Sequence, residues 1–212
     1  MPLYKTITVS ASSKVLIWKI SESFEALSEG IELTENCQSR VDGMKSDLHK
    51  RGFMSVRHLL AIEGYTDFDL YYDSNGKPHL KDGTCISISH SFTFSAIVLS
   101  TTEVGIDIEM QRPKILRIAH KFTSISEYRT LANDDAVMRK LTMVWCAKES
   151  LYKSFAMPGT SFLQHIYVED FRMEDAESTA DVSFNGKTTK YKVWFLEFDG
   201  FTCAYALLSD IA

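Results

Sequence analysis

The sequence predicts an α+β fold, because β-like runs alternate with helix-like segments in both halves of the 212-residue chain. Three β-like runs lie near the middle of the chain. Aromatic and branched runs near the C-terminus are separated by Asn185-Gly186 and Asp199-Gly200, which predict hairpins. We therefore expect two similar α/β lobes, residues 1–101 and 102–212, that meet near residue 102.

The first half begins with a predicted strand at 15–20 (VLIWKI) and a helix-like segment at 21–31, which Ser21 or Ser23 could cap. A second helix is predicted from about 44 to 61, where apolar residues recur at helical spacing. The run Asp73-Ser-Asn-Gly76 predicts a turn, directly before Lys77-Pro78. Strands are predicted at 85–89, 94–100 and 104–109.

In the second half, helices are predicted at 115–122 and 134–152, and strands at 181–184, 190–198 and 201–208. We find no convincing sequence repeat and no low-complexity linker. The hydrophobic and charged fractions, 45% and 24%, are those of an ordinary globular protein.

Composition and charge exclude several classes of protein. The net charge of −5 argues against a nucleic-acid binder that relies on overall positive charge. The four cysteines occur singly, so neither zinc-ligand spacing nor a disulfide framework is supported. No apolar run approaches a membrane span, and the first 20 residues do not resemble a signal peptide. We therefore expect a cytoplasmic protein without membrane or nucleic-acid partners.

The segment Val104-Gly-Ile-Asp-Ile-Glu109 is the first motif that could carry chemistry. Residues two apart in a strand project from the same face, so Asp107 and Glu109 would lie side by side while Ile106 and Ile108 face the core. Two such carboxylates suit a hard cation such as Mg²⁺, which also binds substrate phosphate. The alternative is an exposed acidic edge of an ordinary strand.

The second motif is Trp145-Cys-Ala-Lys-Glu-Ser-Leu-Tyr-Lys153. On a helix, Trp145, Glu149 and Lys153 share one face, because residues four apart are neighbours. Glu149 could complete a metal site and Lys153 could bind phosphate. The alternative is a surface Glu–Lys pair beside a buried tryptophan.

A third motif, Ser87-Ile-Ser-His-Ser91, lies at a predicted strand end, where hydroxyls and an imidazole could contact a phosphate or ribose. A histidine there could equally be a hydrogen-bonded turn residue. The order of basic helix, Gly-Lys-Pro turn, SISHS, GIDIE and WxxKExxxK resembles the larger, single-chain (surfactin-synthetase-activating) type of 4′-phosphopantetheinyl transferase. The resemblance runs from about Lys50 to Lys153.

This resemblance implies a pseudo-dimer of two similar α/β lobes, with coenzyme A in the cleft between them. By matching position, Asp107, Glu109 and Glu149 would bind Mg²⁺, and Lys148 and Lys153 would be the two lysines of the helix motif, with Lys153 near the phosphates. The remaining implied coenzyme A contacts are Arg51, Arg57, Lys77, Pro78, Ser89 and His90. The residues around Arg51 and Arg57 align more loosely.

The implied reaction transfers 4′-phosphopantetheine from coenzyme A to a serine of an apo acyl, peptidyl or polyketide carrier protein and releases 3′,5′-adenosine bisphosphate. Glu149 or Glu127, the latter through a water, could take the serine proton. Lys114, Arg117 and Lys121 could dock an acidic carrier protein, or could simply form a solvated helix face. By analogy with the family we expect a monomer.

Several points stay open from the sequence. The acceptor pathway, the base and the choice between Mg²⁺ and Mn²⁺ are not determined. The residues after Lys153, Ser-Phe-Ala-Met-Pro-Gly, depart from many relatives, which have a glycine closer to the lysine. Other possible functions are a metal-dependent enzyme that acts on nucleotides without a carrier, and a catalytically inactive coenzyme A or carrier-protein binding module.

Overall fold

The computed structural model describes residues 3–124 and 133–209. The chain divides into two compact units, Met1–Thr101 and Thr102–Ala212. In the described residues a four-stranded sheet, a five-stranded sheet and a two-stranded hairpin combine with helices. The predicted α+β class is therefore confirmed.

The first unit contains six strands and three helices among its described residues. The strands are β1 (Leu3–Ser10), β2 (Ser13–Lys19), β3 (Leu70–Tyr72), β4 (Pro78–Leu80), β5 (Cys85–Ser91) and β6 (Phe94–Ser100). The helices are α1 (Phe24–Ser28), α2 (Glu35–Gly43) and α3 (Asp47–Ile62). The four-stranded sheet has the antiparallel order β1-β2-β6-β5, and β3 and β4 form the separate hairpin.

Helix α3 supplies most of the apolar surface that covers this sheet. Its N-cap is Ser46, whose hydroxyl accepts a hydrogen bond from the His49 backbone N–H at 3.4 Å. One face of the helix and one face of the sheet form a common core, which includes Met54, Val56, Leu59, Leu60, Leu16, Trp18, Ile86, Ile97 and Leu99. The burial of this surface is the main force that holds α3 in place.

The second unit contains a five-stranded sheet and one long helix. Its strands are β7 (Val104–Met110), β8 (Ile166–Val168), β9 (Glu177–Phe184), β10 (Lys187–Phe198) and β11 (Phe201–Leu208). Their antiparallel order is β7-β11-β10-β9-β8, which places β7 at an edge. Helix α4 (Lys114–Ile118) continues into a short 3₁₀ turn, and α5 is Asp134–Phe155.

Helix α5 packs lengthwise on the five-stranded sheet. The Asn133 side chain caps its N-terminus by accepting from the Ala136 N–H at 2.9 Å, and Asp134 and Asp135 in the first turn complement the helix dipole. The shared core includes Leu141, Val144, Ala147, Leu151, Val168, Val182, Val193, Phe195, Ala204 and Ala206. This packing fixes the helix above β7 and β11.

The observed elements agree with most of the predicted ones. The predicted strands at 94–100 and 201–208 have the observed bounds of β6 and β11. The helix expected at 115–122 is shorter, since α4 ends at Ile118 before the 3₁₀ turn. Strand β1 and helix α2 were not predicted, because most of their residues are exposed or only partly buried and give little apolar periodicity.

All four cysteines are free thiols. Within the described residues, no helix is long and apolar enough to cross a lipid bilayer.

Candidate active site

Strand β7 places the carboxylate of Asp107 against helix α5. The Gly105, Asp107 and Glu109 side of the strand faces the helix, while Val104, Ile106 and Ile108 occupy the other face and are also buried. Asp107 is only 5% exposed. The alternative interpretation of the motif as an exposed acidic edge is therefore wrong for Asp107, although Glu109 is partly exposed.

Gly105 is the residue that allows β7 and α5 to approach so closely. A Cβ atom at this position would lie 1.8 Å from the carbonyl oxygen of Ser150 and 3.0 Å from the amide nitrogen of Ser154. Both atoms belong to the backbone of α5, so no side-chain rotation could relieve the overlap. Every larger residue would push the helix away from Asp107.

The close approach brings Lys153 to Asp107. The Lys153 ammonium donates to Asp107 Oδ1 at 2.7 Å and to the carbonyl oxygen of Ile106 at 3.0 Å. Burial alone would lower the pKa of Lys153, but the Asp107 carboxylate outweighs it and raises the pKa above its usual value. Lys153 therefore carries a full positive charge at neutral pH.

Glu149 lies one helical turn before Lys153 and is half-buried. Burial raises the pKa of Glu149 to about 7, and repulsion from Asp107 and Glu109 adds to this effect against the attraction of Lys153. The carboxylates of Asp107, Glu109 and Glu149 thus influence one another electrostatically. The alternative of an isolated surface Glu–Lys pair is wrong, because Lys153 bonds Asp107.

The donor types around Glu149 fit a magnesium ion. Three carboxylates that repel one another are stabilised when a hard cation lies between them. Within residues 3–124 and 133–209, however, no three His, Cys, Asp or Glu side chains form a ready-made metal cage. Mg²⁺ usually binds one or two carboxylates and completes its shell with water and substrate phosphate, so the residues fit it as an open site.

A cavity of about 150 Å³ borders Glu109. Its walls combine the cationic side chains of Arg112 and Lys114 with the apolar side chains of Ile115, Ile118 and Trp145. The Trp145 ring packs between Phe122 and Phe162, with centroid distances of 5.0 and 5.5 Å. The helix face predicted to join Trp145, Glu149 and Lys153 therefore borders both the carboxylates and this cavity.

Lys148, the other lysine of the helix motif, points into the core of the second unit. It is fully buried and donates to the carbonyl oxygens of Phe162 at 3.0 Å and Ile166 at 2.6 Å. These bonds tie α5 to the segment that leads into β8. The geometry favours a structural role, and the predicted coenzyme A contact of Lys148 stays a prediction without support here.

In the first unit, the predicted nucleotide residues Arg51 and His90 occur on adjoining elements. A Cβ atom at Gly52, directly after Arg51, would lie 2.6 Å from Cδ2 of His90, so the imidazole rests on the surface of α3. His49, one turn earlier, has its ring 6.3 Å from the His90 ring. Arg51 is partly exposed and pairs with Asp47 at 3.0 Å.

Arg57 has a different environment from Arg51. Its guanidinium is 3% exposed, donates to Asp67 Oδ1 from Nε at 2.9 Å and Nη2 at 2.8 Å, and lies 3.4 Å from the Phe53 ring centroid. Burial alone would raise the pKa of Asp67, but hydrogen bonds from Thr34 and the Arg57 charge outweigh it and lower the pKa. The geometry favours a structural ion pair over the predicted nucleotide contact.

The remaining predicted residues are distributed over several elements. Ser89 and His90 point to opposite faces of β5, because successive strand residues alternate. Lys77 and Pro78 follow the predicted turn, in which Asp73 Oδ1 accepts from the backbone N–H groups of Asn75 and Lys77 at 2.8 and 2.9 Å. Glu127 lies outside the described residues.

The basic residues predicted for docking are all exposed. Lys114 and Arg117 belong to α4, and Lys121 ends the 3₁₀ turn that follows it. No role was predicted for Gly105, Gly52 or His49. The glycine within GIDIE was a visible signal, since glycine inside a strand often marks a close backbone approach.

The part of the chain that matches a known family lies within the second unit. Residues 103–206 match the sequence model of the 4′-phosphopantetheinyl transferase superfamily. This range begins beside β7 and ends within β11, so it contains Asp107, Glu109, Glu149 and Lys153. No curated protein matches the chain.

Proposed function

We propose that this protein is a Mg²⁺-dependent 4′-phosphopantetheinyl transferase of the larger, single-chain type. It transfers 4′-phosphopantetheine from coenzyme A to a serine of an apo carrier protein and releases 3′,5′-adenosine bisphosphate. The observation that carries the proposal is the convergence of Asp107, Glu149 and Lys153 from β7 and α5, within the range that matches the superfamily. The proposal retains the pseudo-dimer of two lobes, with coenzyme A between them, that the resemblance implied.

Asp107, Glu109 and Glu149 are the proposed ligands of Mg²⁺. When bound, the ion supplies positive charge that offsets the negative charge of the coenzyme A pyrophosphate. Lys153 adds a second positive charge beside Asp107, and it stays protonated at neutral pH. In the proposed complex its ammonium would also donate to phosphate oxygens as charge develops on them.

In the proposed reaction, the serine Oγ of the carrier forms a bond with the β-phosphorus of coenzyme A. The bond between that phosphorus and the bridging oxygen of 3′,5′-adenosine bisphosphate breaks. The serine proton passes to a general base, for which Glu149 is one candidate. Glu127 or a water molecule remains the other candidate for this step.

The proposed nucleotide contacts lie in the first unit. Arg51 and His90 are the leading candidates for the adenosine 3′-phosphate, because they are accessible and lie on adjoining elements. Lys77, Pro78 and Ser89 are retained as further candidates. Arg57 and Lys148 have structural partners, so the proposal does not depend on them.

Lys114, Arg117 and Lys121 are the proposed docking residues for the carrier protein. Carrier proteins are usually acidic, whereas this chain has a net charge of −5, so docking requires a local basic surface. Of these three exposed side chains, Lys114 lines the cavity beside Glu109. An acceptor docked there would approach the proposed metal ligands.

The test combines the purified protein with coenzyme A, Mg²⁺ and an apo acyl carrier protein, and weighs the carrier by intact mass spectrometry. We expect one phosphopantetheine per carrier, only when a divalent cation is present, and none with Asp107→Asn. Asparagine keeps the size of the buried side chain, so the variant should remain folded. Full activity of Asp107→Asn, or no transfer to several unrelated carriers, would contradict the proposal.

A further inference from the structure

Among the glycines in the described part of the first unit, Gly52 is the one at which a Cβ atom would overlap a neighbouring side chain, that of His90. A Cβ atom at Gly52 would lie 2.6 Å from Cδ2, 3.2 Å from Cγ and 3.4 Å from Nε2 of His90. Since real Cβ atoms essentially never come within 3.0 Å of another group, the imidazole lies in space that a side chain at position 52 would occupy. Gly52 is itself buried within α3.

The surroundings of Gly52 show that α3 is held at this distance from the sheet. The Ser55 hydroxyl, one turn further along α3, donates to the Gly52 carbonyl oxygen at 2.8 Å, and its oxygen also lies at hydrogen-bond distance, 2.8 Å, from Ser95 Oγ. Ser95 is paired with His90 across β5 and β6, so the two side chains share a face of the sheet. The helix is therefore fixed by a buried bond, and an added methyl group would displace the His90 ring instead.

Three side chains that can carry positive charge are arranged around this contact. The rings of His49 and His90 lie edge to face with centroids 6.3 Å apart, and both residues are exposed. Arg51 directly precedes Gly52; its Nε lies 3.0 Å from the exposed Asp47 carboxylate, and its Nη1 donates to the Glu22 carbonyl oxygen at 3.3 Å. Because the Asp47 carboxylate is exposed to solvent, an anion of higher charge can compete with it for Arg51.

We propose that Gly52 is a positioning residue, which seats the His90 imidazole beside His49 and thereby sets the preference for a donor that carries a 3′-phosphomonoester. The inference rests on the proposed function for the identity of the donor. It goes beyond that function in assigning the position of His90 to the missing Cβ of Gly52 and in adding His49 to the phosphate-binding cluster. A dianionic phosphate is the ligand that two imidazoles and a guanidinium suit.

The first measurement is the affinity for adenosine 3′,5′-bisphosphate and for AMP by calorimetry, which does not depend on catalysis. The wild-type protein should bind the bisphosphate more tightly than AMP. Gly52→Ala should weaken bisphosphate binding about tenfold, the value of roughly one charge-assisted hydrogen bond, and leave AMP binding unchanged. His49→Ala should also weaken binding of the bisphosphate alone.

Gly43→Ala is the matched control, because a Cβ atom at this helical glycine would have nothing within 4 Å. It should leave both affinities unchanged. His90→Ala should reproduce the loss seen in Gly52→Ala, and the double variant should lose no more than His90→Ala alone, because the displaced ring is then absent. Additive losses in the double variant would contradict the positioning role.

In transfer assays, Gly52→Ala should raise KM for coenzyme A with little change in kcat, and should have no effect with dephospho-coenzyme A as donor. Equal losses with both donors, or an unchanged preference for the bisphosphate, would overturn the inference. If the wild-type protein binds as expected and yet transfers nothing, the proposed function fails and the role of Gly52 stands. Thermal unfolding confirms that each variant is folded.

Discussion

Replacing Gly105 with alanine would place a methyl group where the backbone of α5 lies. The Cβ atom would be 1.8 Å from the Ser150 carbonyl oxygen and 2.7 Å from its carbonyl carbon. The contacted atoms cannot rotate away, and both elements contribute buried apolar residues to the second unit. The only response is a separation of α5 from β7.

The size of that separation can be worked from the contact distances. Restoring 3.0 Å, the shortest distance at which Cβ contacts occur, requires a shift of at least about 1.2 Å. If the helix moves as a rigid body, the 2.7 Å bond between Lys153 and Asp107 lengthens to roughly 4 Å and is lost. Overpacking of this kind costs about 3 kcal/mol, which lowers Tm by more than about 10 °C for a unit of this size.

The assay measures thermal unfolding and phosphopantetheine transfer for the wild-type protein, Gly105→Ala and Gly43→Ala. We expect Gly105→Ala to melt well below the wild-type protein and its folded fraction to transfer about 100-fold more slowly, because a misplacement of about 1 Å disturbs the reacting geometry. Gly43→Ala should match the wild-type protein in both measurements, since its methyl group meets no neighbour.

An unchanged Tm for Gly105→Ala would refute the reasoning, since it would mean that α5 and β7 accommodate the methyl group without moving apart. A lower Tm with full activity at a temperature where the variant is folded would refute the expectation that moving α5 away from Asp107 slows the reaction. In that case the position of α5 over Asp107 would not matter for the reaction.

Glu149→Gln should lower transfer about 1,000-fold, or roughly 4 kcal/mol, and should remove any rise in Tm that Mg²⁺ gives the wild-type protein; an equal rise in both proteins would contradict its role as a ligand. Asp67→Asn should destabilise the protein by about 3 kcal/mol, because it leaves the buried Arg57 guanidinium without a countercharge, and denaturant titration measures the loss. The pKa of Asp67 is held below its usual 3.8, so this pair should stabilise the wild-type protein fully above about pH 4 and progressively less as the pH falls further. The difference in stability between Asp67→Asn and the wild-type protein should therefore shrink in acid. Lys148→Met should lower the free energy of unfolding by about 2 kcal/mol, because it leaves two carbonyl groups unpaired, and should leave KM for coenzyme A unchanged. A raised KM with normal stability would instead support the predicted coenzyme A contact.

Local patterns in the sequence were sufficient to predict the type and the approximate bounds of the elements with strong apolar periodicity. Strands β6 and β11 have the predicted bounds, and α5 extends the predicted helix by one turn to Phe155. Strand β8, with only three residues, and the largely polar helix α2 gave no comparable signal. Their positions depend on the surfaces against which they pack and not on their own periodicity.

The sequence by itself also identified Asp107, Glu149 and Lys153 as one group, because the residue types and their order along the chain resemble a known family. Their spacing predicted which residues share a face of a strand or of a helix. It did not predict that Lys153 bonds Asp107, 46 residues away, instead of its helical neighbour Glu149. Periodicity describes one element at a time and contains no information about the partner element.

Only the tertiary structure decided the roles of Gly105, Arg57 and Lys148. Gly105 is required because the backbone of α5 lies where its side chain would be. Arg57 and Lys148 are basic residues that the sequence cannot distinguish from Arg51 and Lys153, yet both are buried on internal partners. The physical reason is that the direction of a long side chain is set by the carbonyl and carboxylate groups that long-range packing brings within its reach.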